Sequence, residues 1–453
     1  YSMQANGQRD FNRTLTSVAD GSYNVFAYCN DSLGNLRLNS SRWFSVDSNV
    51  APAVTINLPL NKTYNQSIVN FNVTTDEVAS CFYTLNSGLT NYSMQRNGNT
   101  DFNHTNSSIA DGAYYARFYC NDTSNKINDS ATLNVSFSID WTTPSINFTN
   151  PTPSNNSFLR QNNIFVNVSH SDTPGDYQVV LDFNRSLVAW FRFGNETGEN
   201  HTHIRDWSSW QNNATANTTT LYNESGKFGG ARQINATEGF IKIPYNESIK
   251  PSNQYSLSLW LYPTSDPGFF AVYSSVYALS VVDNKIRVGW GSGSGDQAIL
   301  TGAGNLTMGQ WTHVTLVRSN QSTISLFRNG VLVATNTTLT SITIPNSNIT
   351  FGSDGSLGNA YRGLIDEAMI FQRAINETEI KNLYDSRTQN FSVNFTSLTD
   401  GNYSIQAYTQ DVVGHINNTE KRIIVLDTTA PTITINSPLN QTYGTNKINF
   451  NIT

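Results

Sequence analysis

Short runs of alternating apolar and polar residues cover most of the chain, and Gly, Asn, Asp or Pro bounds each run. A period of two places the apolar side chains on one face of a β-strand. After the turn at Gly21, for example, Tyr23, Val25 and Ala27 share one face, and we expect Tyr23 to pack in a core and make one local hydrogen bond. Because no long run has a helical period, the pattern predicts an all-β protein.

One short helix is the predicted exception. Ile380, Leu383 and Tyr384 lie at helical spacing, and Asn376 is a predicted N-cap with Glu379 three residues later. We expect this helix to pack on the surrounding sandwich.

The first third of the chain repeats at a spacing of about 91 residues. Tyr1–Gln4 returns as Tyr92–Gln95, and Tyr28–Asp31 returns as Tyr119–Asp122. A unit of this length, built from short strands, is typical of a β-sandwich.

A third copy of the repeat is interrupted. It begins near Pro144, but its strand after the Gly turn comes only at Thr399–Tyr408, and the next copy begins near Pro431. Removing roughly 200 residues from this interval leaves about 90, which is one repeat length. The sequence therefore predicts a domain inserted into the third repeat, with the two ends of the insert close together at one edge of its host.

A proline-containing segment starts each repeat, as in Val50–Asn57, Thr142–Phe148 and Thr429–Asn436. Proline at the start of an edge strand loses no ladder hydrogen bond. With the Gly-x-Tyr strand and the Asp-x-x-Gly-Asn turn that follow, these segments resemble the Ig-like repeats of archaeal and bacterial surface proteins. The resemblance covers most of residues 1–185 and 389–453 and implies tandem Ig-like β-sandwiches.

The insert has ordered segments of its own, namely Gly226–Ala231, Gly239–Pro244, Tyr255–Pro263, Gly309–Val317 and Ile324–Val333. Their order resembles the laminin-G-like, concanavalin-type jelly roll, which implies a second all-β fold. The predicted domains are 1–49 (late strands of an Ig-like unit), 50–140 (a complete unit), 141–185 with 389–427 (a split unit), 186–388 (the jelly roll) and 428–453 (first strands of a further unit).

Composition narrows the range of functions. Charged residues make up 13% of the chain, the net charge is -6, and Lys and Arg form no cluster suited to phosphates, so nucleic acid is not an expected partner. The sequence contains no membrane-spanning run of about twenty apolar residues and no lipidation motif.

Asn-x-Ser/Thr sequons number roughly three dozen, against about a dozen expected by chance. They indicate an extracellular, cell-surface glycoprotein with N-linked glycans, although an Asn-, Ser- and Thr-rich chain also forms sequons by accident. The predicted acceptors include Asn12, Asn61, Asn72, Asn103, Asn121, Asn134, Asn195, Asn213, Asn235, Asn305, Asn336, Asn376, Asn402 and Asn440.

The cysteines indicate an oxidising compartment. Cys81 and Cys120 belong to one repeat, and we predict a disulfide between them. Cys29 occupies the position of Cys120 in the first copy, and its partner position would precede residue 1, so we expect a longer natural chain. In the third copy Thr409 replaces this cysteine, and no cysteine lies between Pro144 and Ser186.

Carboxylates are the candidates for metal chemistry. The jelly-roll resemblance implies that some members hold a calcium ion, here with Asp206, Gln211 or Asn212, and Asp366 as ligands. Calcium suits this set because it binds several hard oxygen ligands. The alternative is that Asp206 caps a turn and that Asp366 pairs with Arg362 or a backbone amide.

We expect no enzymatic activity. Glycosidases need two facing carboxylates about 5 to 9 Å apart, whereas Asp366 and Glu367 are adjacent, and neighbours on a regular strand point to opposite faces. His201 and His203 share a strand face, but histidines in such a polar segment are usually solvated.

Aromatic rings are the candidates for sugar contact because they stack on pyranose faces. Near predicted loops lie the candidate ligand-binding residues Trp207, Trp210, Trp290 and Tyr361. Trp190, Trp260 and Trp311 fall within strand patterns and are expected in the core.

The sequence favours an extracellular structural or adhesive glycoprotein, part of a stalk, surface layer or filament, that displays the jelly roll to glycans or other surface proteins. The alternative is an accessory binding region of a secreted carbohydrate-active enzyme. A rarer alternative is a head-to-tail homo-oligomer or filament, in which terminal strands of one chain complete the half domain of the next.

Overall fold

The computed structural model describes residues 1–7, 9–19, 21–39, 41–46, 51–130, 133–172, 177–196, 198–235, 239–265, 268–273, 276–290, 298–301, 306–339, 344–352, 361–385 and 390–453. At positions 177, 269, 290, 298–301 and 390 the description is of the backbone alone. Strands contain 49% of the residues and helix 3%, so the predicted all-β class is confirmed. The chain divides into two units, Tyr1–Trp141 and Thr142–Thr453.

The first unit begins with six short strands. They are β1 (Gln4–Ala5), β2 (Phe11–Asn12), β3 (Gly21–Val25), β4 (Tyr28–Asn30), β5 (Leu36–Leu38) and β6 (Arg42–Val46). They pair as β1 with β2, β3 with β6 and β4 with β5. Gln4 lies opposite Asn12, as Gln95 lies opposite Asn103 in the next copy, so the sequence repeat is also a repeat of strand pairing.

The rest of the first unit is a sandwich of two sheets. Its strands are β7 (Val54–Leu58), β8 (Thr63–Tyr64), β9 (Val69–Thr75), β10 (Ala79–Thr84), β11 (Tyr92–Ser93), β12 (Gln95–Arg96), β13 (Asp101–Asn106), β14 (Gly112–Asp122), β15 (Ile127–Asn128) and β16 (Asn134–Ile139). One sheet has the order β12-β13-β9-β7 and the other β11-β10-β14-β16-β8, with β15 beside β14. Between the sheets, the rings of Phe71 and Tyr83 stack 3.9 Å apart and are fully buried.

The second unit contains the interrupted repeat and its insert. Before the insert come β17 (Ser145–Thr149), β18 (Ser157–Leu159), β19 (Ile164–Ser171) and β20 (Tyr177–Phe183). The insert contains β21 (Leu187–Phe191), β22 (His203–Ile204), β23 (Ala214–Ala216), β24 (Thr220–Asn223), β25 (Ala231–Ile234), β26 (Ile241–Ile243), a 3-10 turn (Glu247–Ile249), β27 (Tyr255–Pro263), β28 (Gly268–Tyr273), β29 (Tyr277–Val282), β30 (Lys285–Trp290), β31 (Ala298–Thr301), β32 (Thr312–Arg318), β33 (Ile324–Arg328), β34 (Val331–Asn336), β35 (Ile349–Phe351), β36 (Gly363–Phe371) and helix α1 (Glu377–Tyr384). After it come β37 (Asn390–Phe395), β38 (Gly401–Asp411), β39 (Ile416–Asn418), β40 (Arg422–Leu426), β41 (Ile435–Ser437) and β42 (Asn451–Ile452).

Strands from both sides of the insert complete one sandwich, which we call the split sandwich. Its sheets have the orders β17-β19-β37 and β18-β40-β38-β20. The complete sandwich has the same pairings, namely β9 with β13, β10 with β14, and a parallel pair of β8 with β16 that matches β18 with β40. The insert therefore occupies the connection that runs from β10 to β13 in the complete copy.

The two ends of the insert lie side by side. Its first and last strands, β21 and β36, pair so that Leu187 is opposite Phe371, and the amide of Gln372 donates to the carbonyl of Ser186 at 2.8 Å. The predicted proximity of the ends is present, because the chain enters and leaves through hydrogen-bonded neighbours.

The insert is a jelly roll of two large sheets. One has the order β24-β25-β36-β27-β32-β33-β34, with β21 also paired to β36, and the other β22-β23-β26-β35-β28-β29-β30-β31. Between them lies the main apolar core, which includes Phe191, Leu259 and Ile365. Strands β27 and β36 are buried on both faces, yet β27 includes the buried residues Ser256 and Ser258, and β36 includes the buried residues Asp366 and Glu367.

A second apolar cluster joins the jelly roll to the split sandwich. Trp190, Met369 and Phe371 on the outer face of the jelly roll pack with Val180 of β20 and with Ile380 of helix α1. The predicted capping box at Asn376 and Glu379 is present. The predicted helix thus fills the space between the two folds.

The disulfide joins neighbouring strands of one sheet. Cys81 on β10 and Cys120 on β14 are directly opposite each other, with Cα atoms 4.1 Å apart, and are bonded through sulfur. The matching positions of the split sandwich hold Val179 and Thr409, which are also opposite each other and buried. In the split sandwich, one pair of facing residues, Val179 and Thr409, therefore replaces the disulfide-bonded pair of the complete copy.

A tyrosine–carbonyl hydrogen bond recurs in three copies of the repeat. The hydroxyl after the turn donates to the carbonyl four residues earlier, from Tyr23 to Ala19, Tyr114 to Ala110 and Tyr403 to Thr399. Tyr23 also stacks on Phe44, with ring centroids 5.5 Å apart.

Strand exchange between terminal half repeats of different chains stays a prediction.

Candidate functional site

Asp206 organises the loop that was predicted to bind calcium. Its Oδ1 accepts hydrogen bonds from the amides of Trp190 and Ser208, both at 2.8 Å. Its Oδ2 accepts from the Ser208 hydroxyl and the Asn212 amide, both at 2.7 Å. Burial raises the pKa of this carboxyl, while these donors favour its charged form. Asp206 therefore closes the loop and ties it to β21.

The residues predicted to bind calcium do not fit that ion as they are arranged. The four donors to Asp206 fill the lone-pair positions of a carboxylate. Asn212 is buried, and its side-chain nitrogen Nδ2 donates to the carbonyl of Val188 and to the hydroxyl of Ser248. Asp366 accepts from the amides of Lys227 and Phe228. The geometry matches the alternative roles: Asp206 caps a turn, and Asp366 is a partner of backbone amides.

The expectation that Asp366 and Glu367 point to opposite faces needs correction. The pairing of β27 with β36 contains a bulge between Ser258 and Trp260, and Glu367 has a φ of 50°. Ile365 and Ala368 both belong to the jelly-roll core. The two carboxylates between them therefore share the outer face, because a bulge adds one residue to the strand.

This carboxylate pair is enclosed. Asp366 and Glu367 are 0% and 1% exposed, so a substrate has no access to them in this structure. Burial, followed by the charge of Glu367, raises the pKa of Asp366 well above its ordinary value. Burial also raises the pKa of Glu367 to about 7.

Glu367 belongs to a polar network between the two folds. Its Oε2 accepts from the indole nitrogen of Trp190 at 2.6 Å, and its Oε1 accepts from the side-chain amide of Gln410 at 2.8 Å. Gln410 in turn accepts from Nε of Arg192 at 2.9 Å. Arg192 also donates to the carbonyl of Gly414. We call Trp190, Arg192, Glu367 and Gln410 the joint network.

Sequence reasoning missed the joint network. The available signal was Arg192, a charged residue within the apolar run Leu187–Phe193, because a buried arginine requires partners. Glu196, which pairs with Arg192, is only four residues further along, but Gln410 of the joint network is 218 residues further along, and no local pattern identifies it.

The glycine-containing segment before β25 adds a backbone contact between the jelly roll and the split sandwich. The amide of Gly229 donates to the carbonyl of Val412 at 2.8 Å, and a Cβ at Gly229 would lie 3.1 Å from the carbonyl oxygen of Val413. Gly229 also has a φ of 71°, which favours glycine. The loop therefore approaches the β38–β39 turn through backbone alone.

A second charged cluster lies beside the joint network. Arg192 pairs with Glu196 at 3.3 Å, and Glu199 accepts from the amide of Arg205 at 3.0 Å. Burial, and then the negative charge of Glu196, raise the pKa of Glu199 to about 7. Arg232 is fully buried nearby and donates to the carbonyl of Asn200.

The predicted ligand-binding aromatic residues differ in how far their side chains are exposed. Trp207 is half-buried, and the guanidinium groups of Arg192 and Arg205 lie 4.7 and 4.4 Å from its ring. Trp210 is 40% exposed. The side chain of Trp290 lies outside the described residues. Among the predicted tryptophans whose side chains are described, Trp210 is therefore the exposed one that can offer ring surface to a ligand.

Tyr361 is a correction to the prediction. It is fully buried in the jelly-roll core, where its hydroxyl donates to the carbonyl of Leu364 at 3.1 Å and its ring packs on Phe270. Among the predicted core tryptophans, Trp190 and Trp260 are buried, whereas Trp311 is half-buried against Tyr262. Sequence proximity to a loop did not reveal which way these rings point.

The predicted glycan acceptors differ in exposure. Exposed acceptors are Asn12, Asn61, Asn195, Asn213, Asn235, Asn376, Asn402 and Asn440. Half-buried ones are Asn72, Asn103, Asn121, Asn134 and Asn336, and Asn305 lies outside the described residues. Asn72 donates its side-chain amide to Asp101 at 2.7 Å within a strand, so this nitrogen is already engaged.

His201 and His203 are both exposed, in agreement with the expectation that they are solvated. Within the described ranges, helices are too short and too polar to cross a bilayer.

Comparison with solved structures finds similarities at low sequence identity. The chain is similar to the binding domain of Paraclostridial Mosquitocidal Protein 1, with 20% identity over 45% of this chain and 52% of that one and a TM-score of 0.39. It is also similar to domain 4 of AbnA, a GH43 extracellular arabinanase from Geobacillus stearothermophilus, solved with arabinotriose (22% identity, 46% and 100% of the two chains, TM-score 0.36). A third similar structure is the botulinum neurotoxin serotype D ligand binding domain, solved with N-acetylneuraminic acid. The identity is 15%, the similarity covers 45% of this chain and 51% of that one, and the TM-score is 0.37. The chain spans about half the length of the two toxin chains.

No curated protein matches the sequence. A laminin-G family model, described as the concanavalin A-like lectin/glucanases superfamily, matches residues 235–381. That segment runs from the end of β25 through most of helix α1 and includes strands of both large sheets. This part of the chain is a concanavalin A-like jelly-roll domain.

Proposed function

We propose that this chain is the displaying part of an extracellular surface glycoprotein, in which β-sandwich repeats carry a carbohydrate-binding jelly roll. The observation that carries the proposal is the form of the insertion. The jelly roll leaves and rejoins its host through the paired strands β21 and β36, with Leu187 opposite Phe371.

The contact between the jelly roll and the split sandwich supports this proposal, because it holds the jelly roll in a fixed position on its host. Trp190 and Phe371 pack in an apolar cluster with residues of the split sandwich, and Gln410 links Arg192 to Glu367. Relative motion of domains is the usual expectation when an interface is small and polar. A buried apolar joint with a satisfied polar network holds one orientation instead.

Location outside the cell is supported by independent chemical features. The Cys81–Cys120 disulfide persists in oxidising compartments. Exposed sequons such as Asn61, Asn195 and Asn402 can carry N-linked glycans without disturbing a core. Lectin-like jelly rolls suit such a location, where glycans and other surface proteins are the available partners.

The test is binding of the full 453-residue chain to an array of neutral and acidic glycans. The expected result is reproducible binding to one glycan class, competed by the free sugar. Absence of binding to every glycan, with the protein folded and its disulfide intact, would overturn the carbohydrate-binding role. Release of reducing sugar from a bound polysaccharide would instead assign the chain to an enzyme.

A further inference from the structure

A cleft of about 570 Å³ opens where the jelly roll meets the split sandwich. Trp210 and Gln254 line it from the jelly roll, and Asn184 and Thr396 line it from the host side. Its volume lies within the range of roughly 300 to 1,000 Å³ that is typical of small-ligand sites. The insertion creates this cleft, since neither fold alone supplies both walls.

Trp210 gives the cleft an apolar, immobilised wall. Its indole nitrogen donates to the carbonyl of Arg185 at 2.9 Å, and the Arg185 guanidinium lies 4.6 Å from the ring centroid. Because the one polar atom of the Trp210 side chain is engaged, this side chain can offer a ligand only carbon surface, and the residue as a whole is 40% exposed. A ligand that covers it must present C–H surface, as the face of a sugar ring does.

Polar side chains with spare hydrogen-bonding capacity also line this cleft. Asn184 and Gln254 are exposed, and within the described part of the chain neither side-chain amide takes part in a hydrogen bond. An amide offers two donors and a carbonyl acceptor, and sugar hydroxyls can satisfy both kinds. An aromatic wall combined with such groups suits a ligand that is apolar on its ring faces and polar at its edges.

The charges that line the cleft balance. Arg373 forms a two-point ion pair with Glu379, with an Nη1 to Oε2 distance of 2.7 Å. The other two charged lining residues are Arg185 and Glu247, and Glu247 lies 3.8 Å from Lys250. The four lining charges sum to zero, so the cleft favours an uncharged ligand over an anionic one.

From this geometry we infer that the cleft between jelly roll and split sandwich is a binding site for a neutral oligosaccharide, with Trp210 as its stacking platform. The inference rests on the proposed carbohydrate-binding function and adds the place and the ligand class. It differs from a site on the jelly roll alone because Asn184 and Thr396 belong to the host.

The test uses the full chain produced in a host that adds no N-glycans, because Asn184 and Asn376 lie in sequons at the cleft. Affinity for the best neutral glycan from the array is measured by calorimetry for wild type, Trp210→Ala, Trp210→Phe and Gln254→Ala. We expect a loss of roughly tenfold or more for Trp210→Ala and a smaller loss for Gln254→Ala. Trp210→Phe should retain most of the affinity, since it keeps a ring.

Trp43→Ala is the matched control, because Trp43 is a 69% exposed tryptophan that does not line the cleft. Unchanged affinity in both Trp210→Ala and Gln254→Ala would overturn this site while leaving the proposed function intact. Preference for sialylated or uronic acid glycans would overturn the neutral ligand class. Absence of glycan binding by the wild-type chain would overturn the proposed function itself.

Discussion

Gln410 of the split sandwich donates a hydrogen bond of 2.8 Å to Glu367 of the jelly roll. The same side chain accepts one of 2.9 Å from Arg192, and the three residues are at most 2% exposed. Gln410 thus lies between a buried guanidinium and a buried carboxyl group and hydrogen-bonds to both. Because buried charged groups are stable only with such partners, this amide fixes how the jelly roll meets its host.

Gln410→Ala should destabilise the second unit. The substitution leaves Nε of Arg192 and Oε1 of Glu367 without this partner in a buried site, and we expect the free energy of unfolding to fall by about 2 to 4 kcal/mol. Urea unfolding followed by tryptophan fluorescence measures the change. Gln161→Ala, at an exposed glutamine, is the control. Equal stability of both variants would show that the joint network contributes nothing.

Glu199 should make stability depend on pH. Burial and the charge of Glu196 raise its pKa from 4.5 to about 7. A carboxyl with a raised pKa in the folded state stabilises the fold fully below its unfolded pKa, and this contribution is lost as the pH rises towards 7. Glu199→Gln should therefore reduce the fall in stability between pH 4.5 and pH 7.5 by about 1 to 2 kcal/mol, allowing for partial exposure.

Chemical unfolding at several pH values measures this difference. Glu377→Gln, at an exposed carboxylate in the first turn of helix α1, serves as the control. A Glu199→Gln profile parallel to that of the wild type would contradict the prediction.

Asp206→Asn should destabilise the protein equally with and without calcium. An amide replaces one acceptor oxygen by a donor, so two of the four hydrogen bonds to Asp206 are lost. We expect a loss of about 2 to 3 kcal/mol. Thermal unfolding in calcium and in chelator measures it, with Asp129→Asn as an exposed control. A calcium-dependent rise in melting temperature that only Asp206→Asn abolishes would restore the calcium hypothesis.

A double substitution, Val179→Cys with Thr409→Cys, should form a disulfide in the split sandwich. These residues are opposite each other in the register, as Cys81 and Cys120 are in the complete copy. We expect stabilisation of about 2 to 4 kcal/mol under oxidising conditions. Mass spectrometry and thermal unfolding, each with and without reductant, provide the measurement.

Exposed Cys29 is replaced by serine in every form compared, to prevent mispairing. Each single cysteine variant is a control for the packing change alone. Failure of the double variant to crosslink would mean that the two repeats differ at this position.

The sequence predicted structural elements correctly where they depend on interactions between residues that are close in sequence. The cap at Asn376, the positive φ at Gly21 and the alternating burial of β9 depend on neighbours in sequence, and each has its expected form. In β3 the predicted alternation is not present, because Val25 is exposed and Asn24 is half-buried. Tyr361 was misassigned because its place near a loop does not reveal the direction of its ring. The bulge at Glu367 was missed because it depends on pairing with β27, about one hundred residues away.

The sequence by itself determined the all-β class, the repeat, the interruption of the third copy and the cysteine pair, since periodicity and repeat length are properties of the chain. Only the tertiary structure decided that Asp206 uses its oxygens within the loop, that Gln410 meets Glu367, and that Trp210 faces a cleft. Each of these relationships joins residues from different strands or from both folds. Hydrogen bonding and burial select such partners only in the folded state, within the jelly roll for Asp206, and after the insert has packed against its host for Gln410 and Trp210.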